Sequence, residues 1–154
     1  MKKVYVNSQD ELNSIPSGFR GDIIIKDTID EINIKRHFRN ANIFILGKAH
    51  IGTIDCDAVQ NIGGDATITS IIGNTSVGVI QDNARIAHVC DNVKVDYMGG
   101  NSYIEVVEDN AVIYTMMDNA SVYLLRDNAC IVEVRPNSDV SKIMDNAYYH
   151  TCLA

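Results

Sequence analysis

The sequence predicts an all-β fold, a right-handed parallel β-solenoid with about 18 residues and two nonapeptides in each coil. The first observation is that residues 81–152 are one nine-residue phrase repeated eight times. The second is that the third place of every copy is asparagine. The third is that the sixth and ninth places are apolar almost throughout. A short fixed period of this kind indicates units that bury their apolar faces only against their neighbours.

The internal pattern of each copy predicts one strand and one turn. The copies read QDNARIAHV, CDNVKVDYM, GGNSYIEVV, EDNAVIYTM, MDNASVYLL, RDNACIVEV, RPNSDVSKI and MDNAYYHTC. A small fourth residue and a branched sixth residue have the period-two spacing of a strand whose two side chains face inward. The Asp-Asn pair before them favours a turn, because both residues tolerate left-handed backbone. We therefore expect a flattened coil with two strands, and a three-sided helix with six-residue sides is the alternative.

A small cap of mixed structure is expected over residues 1–39. Lys3 to Val6 predicts a short strand. Ser8 and Glu11 have the spacing of a helical capping box, so a short helical turn should follow that strand. We expect this segment to cover one end of the solenoid, because an uncapped end exposes apolar side chains and sheet edges.

The first rungs of the solenoid are predicted within that cap, and the regular repeat comes later. The runs Asp22 to Ile25 and Ile32 to Ile34 are rich in β-branched residues, which favours strands. The repeat solenoid is predicted over residues 40–152, with the spacing becoming regular at Gly63. Residues 153–154 form the tail.

The acidic charge of the chain is concentrated in the repeats. Residues 51–154 carry five Lys/Arg against fourteen Asp/Glu, whereas residues 1–50 carry eight against six. Because like charges repel, this charge argues against direct nucleic-acid binding and against an anionic membrane, and favours a protein partner with a basic surface. No apolar run reaches the roughly 18–20 residues of a membrane span, and the N-terminal stretch lacks the apolar region of a signal peptide. We expect a cytoplasmic protein.

No motif predicts catalysis, a cofactor or a metal. The four histidines lie in no recognisable signature, and the chain has no phosphate-binding glycine loop. The spacings of the four cysteines match no zinc signature, so we expect reduced thiols without a ligand. Two glycine-containing segments are only fragments of the calcium-binding β-roll motif. We therefore predict a protein that is not an enzyme.

The second-place residues sort onto two edges of the coil. One edge is unbroken and carries Asp91, Asp109, Asp127 and Asp145. The other is interrupted and carries Asp82, Gly100, Asp118 and Pro136. The unbroken edge is either a row of acidic groups that binds a cation or a protein, or a set of turns in which each Asp accepts backbone N–H groups of its own turn.

Aromatic and apolar side chains are predicted on the outward faces of the strands. One face presents Tyr103, Val106, Tyr123 and Leu124. The opposite face presents Tyr97, Val112, Tyr114, Val132 and Tyr148. Exposed apolar patches mark partner surfaces, and Tyr is enriched in interfaces, although β-propensity alone also favours Tyr and Val in strands. Together with the unbroken Asp edge, Tyr97, Tyr103, Tyr114 and Tyr123 form the predicted protein-binding set.

Two further sets of residues are predicted to be structural or self-associating. The third-place amides are expected to stack as a ladder along the coil, through Asn83, Asn92, Asn101, Asn110, Asn119, Asn128, Asn137 and Asn146. The last copy is expected to leave an open end, with a homodimer formed across a two-fold axis. The residues predicted to form that dimer are Tyr148, Tyr149, His150, Cys152 and Leu153.

The repeat resembles uncharacterised nonapeptide-repeat β-solenoid proteins of phages, prophages and gut bacteria, whose units read x-Asp/Gly-Asn-Ala/Ser-x-Val. The resemblance covers about residues 40 to 152 and implies a fold and a mobile-element origin, with no catalytic residues. The expected function is a non-enzymatic, protein-binding acidic solenoid in a bacterial cell. It would act as a counter-defence inhibitor (an anti-CRISPR or a DNA mimic) on a basic surface of a nucleic-acid-acting host protein. The alternatives are a structural or assembly rod, such as a virion or surface component, and a ligand- or glycan-binding solenoid.

Overall fold

A computed structural model describes residues 1–152 and contains sixteen strands and one short helix, α1 (Gln9–Ser14). The strands of the first part are β1 (Lys3–Val6), β2 (Gly21–Lys26), β3 (Ile32–Ile34), β4 (Ala41–Leu46), β5 (His50–Ile54), β6 (Ala58–Ile62), β7 (Thr67–Ile71) and β8 (Ser76–Ile80). Those of the second part are β9 (Arg85–Val89), β10 (Lys94–Met98), β11 (Tyr103–Val107), β12 (Val112–Met116), β13 (Ser121–Leu125), β14 (Cys130–Val134), β15 (Asp139–Ile143) and β16 (Tyr148–Thr151). None of the described helices is long and apolar enough to cross a membrane.

The strands form two parallel sheets, which we call sheet A and sheet B. Sheet A has nine strands in the order β1-β2-β4-β6-β8-β10-β12-β14-β16. Sheet B has seven strands in the order β15-β13-β11-β9-β7-β5-β3. From β4 onward each strand is followed by one in the opposite sheet, so every coil contributes one strand to each. The predicted two-sided solenoid is confirmed, and the three-sided alternative is wrong.

The number of residues per coil varies in the first coils and then becomes nearly constant. Ile23 lies opposite Ile43, a separation of 20 residues, and Phe44 lies opposite Asn61, a separation of 17. Ala58 then lies opposite Ser76 at a separation of 18, which the later coils keep until Val134 lies opposite Thr151, a separation of 17. The irregular coils coincide with the part of the sequence in which the repeat is imperfect.

The core is a single column of side chains between the two sheets. The sixth- and ninth-place residues of the central coils, such as Ile104 and Met116, have no exposed surface. The ladder pairs Val95 with Ile113 and Tyr97 with Thr115 but leaves the seventh place unpaired. The strict alternation of side chains is therefore broken at the seventh place. For this reason the sixth and ninth places both face inward although they are three residues apart.

The N-terminal end of sheet B is covered by α1. The Ser8 hydroxyl accepts the Glu11 N–H at 3.2 Å and caps the helix, while the Glu11 carboxylate accepts the Asn7 N–H at 2.8 Å. The Gln9 side chain accepts the Asn33 N–H at 2.7 Å and donates to the Asn33 carbonyl at 3.1 Å. Because Asn33 lies in β3, the first strand of sheet B, this amide occupies the edge to which another strand would pair.

The C-terminal coil has no such cover within residues 1–152. Its strands β15 and β16 each pair on one side only. Ile143 and Tyr149 are 45% and 37% exposed, whereas Leu125 and Ile131, their partners one coil earlier, have no exposed surface. The side chains that would form the next layer of the core therefore face outward at this end.

We predict that Gln9→Leu lowers the free energy of unfolding by about 1–3 kcal/mol, because it leaves the N–H and carbonyl of Asn33 without partners in a partly buried position. Chemical denaturation measures the change. The matched control is Ser14→Ala in the same helix, whose exposed hydroxyl bonds only to the Glu11 carbonyl. Equal stabilities of the Gln9→Leu variant and the unmodified protein would contradict the assigned role of Gln9.

Candidate functional site

The turns between the sheets are built around a left-handed residue at the second place. The φ angles of Asp82, Asp91, Asp109, Asp118, Asp127 and Asp145 lie between 56 and 59°. Aspartate is one of the few residues with a side chain that tolerate this region. Proline cannot adopt a positive φ, so in the copy that contains Pro136 the left-handed residue is the next one, Asn137, with φ 75°.

The aspartates of the unbroken edge are linked through the backbone of neighbouring coils. The Asp91 carboxylate accepts the Gly73 N–H at 2.9 Å. The Asp109 carboxylate accepts the Asp91 N–H at 3.1 Å. Asp127 accepts from Asp109, and Asp145 from Asp127, each at 3.3 Å. The interpretation that each Asp accepts N–H groups of its own turn is therefore wrong, because the donor belongs to the preceding coil.

The other edge has the same contacts in interrupted form. Asp82 accepts the Gly64 N–H at 2.8 Å, and Asp118 accepts the Gly100 N–H at 3.0 Å. Gly100 and Pro136 have no carboxylate to offer the coil before them. The left-handed φ of 61° at Gly100 preserves the turn, although Gly100 has no carboxylate that could accept the Asp82 N–H.

The third-place asparagines form a partial ladder on the exposed side of the turns. Amide nitrogens donate to the side-chain oxygen one coil earlier at 3.2 to 3.5 Å, from Asn83, Asn92, Asn101, Asn119 and Asn146. Within the described residues, no such bond joins the side chain of Asn110 or Asn137 to a neighbouring coil. The backbone contact is more regular, because the Asn110 N–H, for example, donates to the Asp91 carbonyl at 2.9 Å. The backbone ladder therefore continues through the turn.

The unbroken edge forms a shallow open groove of about 680 Å³ along the solenoid. It is lined by the acidic residues and the adjacent amides: Gly73, Asn74, Asp91, Asn92, Asp109, Asn110, Asp127 and Asn128. Beside it, Glu108 makes an ion pair with Arg126, and its other oxygen lies 3.4 Å from Nδ1 of His88. The groove presents carboxylate and amide acceptors, and Arg126 approaches one of them, with its Nε 4.0 Å from a carboxylate oxygen of Asp127.

Cys90 lies at the first place beside this groove. Its Sγ and carboxylate oxygens of Asp91 and Asp109 all lie within 4.8 Å of one another. Each already has a protein partner, since the thiol approaches the Ile71 carbonyl at 3.8 Å and both carboxylates accept backbone N–H groups. Burial, with a smaller contribution from the neighbouring carboxylates, raises the pKa of Cys90 to about 11. The thiol is therefore protonated at neutral pH.

The tyrosines are distributed over both sheets, on the faces that the sequence predicts. Tyr97 and Tyr114 lie on sheet A and are 49% and 41% exposed. Tyr123 lies on sheet B and is 49% exposed, whereas Tyr103 is partly buried with the Arg85 guanidinium 5.7 Å from its ring centroid. Tyr97 adjoins the interrupted edge. The predicted binding residues therefore do not form one site, because the acidic groove occupies a lateral edge and the tyrosines two opposite faces.

The residues predicted for self-association also separate into two groups. Tyr148 and His150 lie on the outer face of sheet A, with ring centroids 5.6 Å apart. Tyr149 occupies an inward place of the uncovered last coil. Ile143 was missed by sequence reasoning, although its ninth place in the seventh of the eight copies is the signal that could have found it. Leu153 lies outside the described residues.

We predict a graded effect of substitutions at Asp109 on the free energy of unfolding. Asp109→Asn should cost no more than about 0.5 kcal/mol, because an amide oxygen still accepts the N–H and Asn tolerates left-handed backbone. Asp109→Gly should cost about 1 kcal/mol for the lost hydrogen bond. Asp109→Ala should cost about 2 kcal/mol, because it adds a β-carbon at a φ of 59°. Denaturation curves measure the series, and equal costs for Gly and Ala would contradict the conformational contribution.

We predict that Cys90 in the folded protein alkylates slowly at pH 8 and that its rate rises with pH up to about 11, instead of levelling near the ordinary value of 9.0. Because the folded pKa lies above the unfolded one, the associated stability is complete below pH 9 and is lost as pH rises toward 11. Mass spectrometry of iodoacetamide-treated protein measures the rate. Asp109→Asn removes one cause of the shift and should move the midpoint down, and an unchanged midpoint would contradict the assigned carboxylate contribution.

Comparison of the chain with protein-family models, with curated proteins and with solved structures found no match. The resemblance to phage-borne repeat proteins stays a prediction.

Proposed function

We propose that this chain is a non-enzymatic protein-binding module whose acidic edge binds a basic protein surface. The acidic edge is defined by Asp91, Asp109, Asp127 and Asp145. Proteins that act on nucleic acids carry basic surfaces to neutralise phosphates, so they are the class of partner that this edge would attract. In a phage setting, the proposal corresponds to a counter-defence inhibitor of the anti-CRISPR or DNA-mimic kind.

The observation that carries this proposal is the continuous chain of contacts along the edge. Each carboxylate accepts a backbone N–H of the preceding coil, at 2.9 to 3.3 Å. The charges are therefore held at the coil spacing of about 4.8 Å by the backbone of the solenoid. A partner meets a preorganised row of acceptors, so little side-chain entropy is lost when Lys or Arg residues bind to it.

The distribution of charge supports the same partner class. Residues 51–134 carry three Lys/Arg and twelve Asp/Glu. This excess surrounds the acidic edge with a field of one sign, which attracts basic surfaces at long range and repels nucleic acid. A protein that binds both this chain and nucleic acid through one basic surface cannot hold both at once. Competition is therefore the expected mode of action.

We predict that a captured partner is released by double-stranded DNA and by salt. Asp109→Asn together with Asp127→Asn should weaken binding about tenfold or more, because the two charges that complement the partner are removed. The turn geometry should be kept, because Asn accepts the same N–H groups. Surface plasmon resonance at several salt concentrations, with a DNA duplex as competitor, measures these effects.

The matched control is Asp82→Asn together with Asp118→Asn on the interrupted edge. It makes the same change in net charge and in the same turn position, but on the opposite side of the solenoid. Binding should change less than about threefold. Equal weakening by the two double variants would refute recognition by the acidic edge, and so would a partner whose affinity is insensitive to salt and DNA.

A structural or assembly rod is the second candidate function, and the uncovered C-terminal coil favours it. Unpaired strand edges and exposed apolar side chains at one end of a rod are the features through which solenoids join other protein surfaces. Presence of the chain at fixed stoichiometry in purified particles or assemblies would support this role.

A further inference from the structure

The two ends of the solenoid differ in what they offer to another protein. At the N-terminal end, the Gln9 amide occupies the backbone edge of β3. At the C-terminal end, β15 and β16 are the outermost strands of the two sheets within residues 1–152, with Ile143 45% exposed and Tyr149 37% exposed. If the C-terminal end of one copy stacked on the N-terminal end of another, the edge of sheet B could not pair at Asn33. Head-to-tail growth into a fibre is therefore disfavoured in sheet B.

The C-terminal coil also differs from the rest of the repeats in charge. Residues 135–152 carry two basic and two acidic residues, Arg135, Asp139, Lys142 and Asp145, so their formal charge is zero. The acidic excess of the repeats lies entirely in residues 51–134. Two copies that approach each other end to end therefore meet where the net charge of the solenoid vanishes.

We propose that two copies of this chain join end to end through their C-terminal coils, across a two-fold axis perpendicular to the sheets. The strand β15 pairs antiparallel with β15 of the partner copy, and β16 pairs with β16 of the partner copy. Each sheet then continues from one copy into the other, and the exposed Ile143 and Tyr149 of both copies form a shared layer of core. The interface is isologous and closes on itself, which limits the assembly to two.

The charges of β15 determine the register. Asp139 and Lys142 are exposed residues of opposite sign on this strand. In an antiparallel pair in which Val140 lies opposite Val140 of the partner copy and Ser141 stays unpaired, as it does in the ladder between β13 and β15, Asp139 lies opposite Lys142 of the partner copy. The two-fold symmetry repeats this contact. Opposite charges across a strand pair are stabilising and like charges are destabilising. If β15 paired with β16 of the partner copy, both Asp139–Lys142 contacts would be lost, because β16 has no Asp, Glu, Lys or Arg.

The mass of the protein in solution tests the proposal. Size-exclusion chromatography with light scattering at micromolar concentration should give twice the 17.0 kDa of one chain. Ile143→Asp should give a monomer, because it places a charge in the apolar layer of each copy. The matched control is Val132→Asp, since Val132 is also 45% exposed but lies on the outer face of sheet A. The control should remain a dimer. A monomeric unmodified protein, or an equal effect of the two substitutions, would overturn the proposal.

A charge exchange tests the register separately. Asp139→Lys should raise the dissociation constant of the dimer about tenfold, because it places two lysines opposite each other on both sides of the axis. Adding Lys142→Asp should restore the affinity, and lack of restoration would overturn the assigned register. Circular dichroism of each variant monitors the folded coil. The dimer and the acidic edge can fail independently, because the edge variants at Asp109 and Asp127 leave the last coil unchanged.

Discussion

The parallel backbone ladder between successive coils is the interaction on which the rest of this structure depends. From the β6–β8 and β7–β9 pairs onward the strands pair at a separation of 18 residues, except at the end of β16, and backbone hydrogen bonds between coils also occur in the turns. The third-place N–H donates to the second-place carbonyl of the preceding coil, and the second-place N–H finds a carboxylate in the following coil wherever the residue there is aspartate. Backbone groups that would otherwise face solvent at the edges are satisfied by the repeat itself. The fixed register of the apolar layers follows from this ladder.

Much of this architecture could be predicted because it depends on local patterns that recur. The strand and turn in each nonapeptide, the two inward places and the sorting of Tyr97 and Tyr123 onto opposite sheets all follow from period and residue type. The partner of each Asp carboxylate could not be predicted, because it depends on how far the turn of one coil lies from the next. The role of Gln9 could not be predicted either, because its contact with Asn33 joins residues 24 positions apart and belongs to no repeat. Sequence reasoning detected the period and missed contacts that the period does not generate.

The same residues serve both the architecture and the proposed binding surface. An aspartate at a second place is explained by its left-handed backbone and by the N–H that it accepts, so its presence alone does not indicate a partner. The asymmetry between the edges is the more informative feature. Glycine satisfies the backbone requirement at Gly100, and the shift of the left-handed position to Asn137 satisfies it at Pro136. Because the fold tolerates such replacements on one edge, the four consecutive carboxylates on the other exceed what the turn requires.

The placement of charge along the solenoid connects the acidic edge with the free end. Carboxylates at the coil spacing repel one another, and the N–H that each accepts from the preceding coil offsets part of that repulsion. At the last coil the Asp145 N–H has no such carboxylate among the described residues. In the same coil Arg135 and Lys142 balance Asp139 and Asp145, so the electrostatic obstacle to adding another layer is smallest there. Within residues 1–152, the strand edges that pair on one side only, the exposed apolar layer and the neutral charge therefore coincide in a single coil. That coincidence makes the C-terminal coil the surface of this solenoid at which a second copy can bind with the least electrostatic cost.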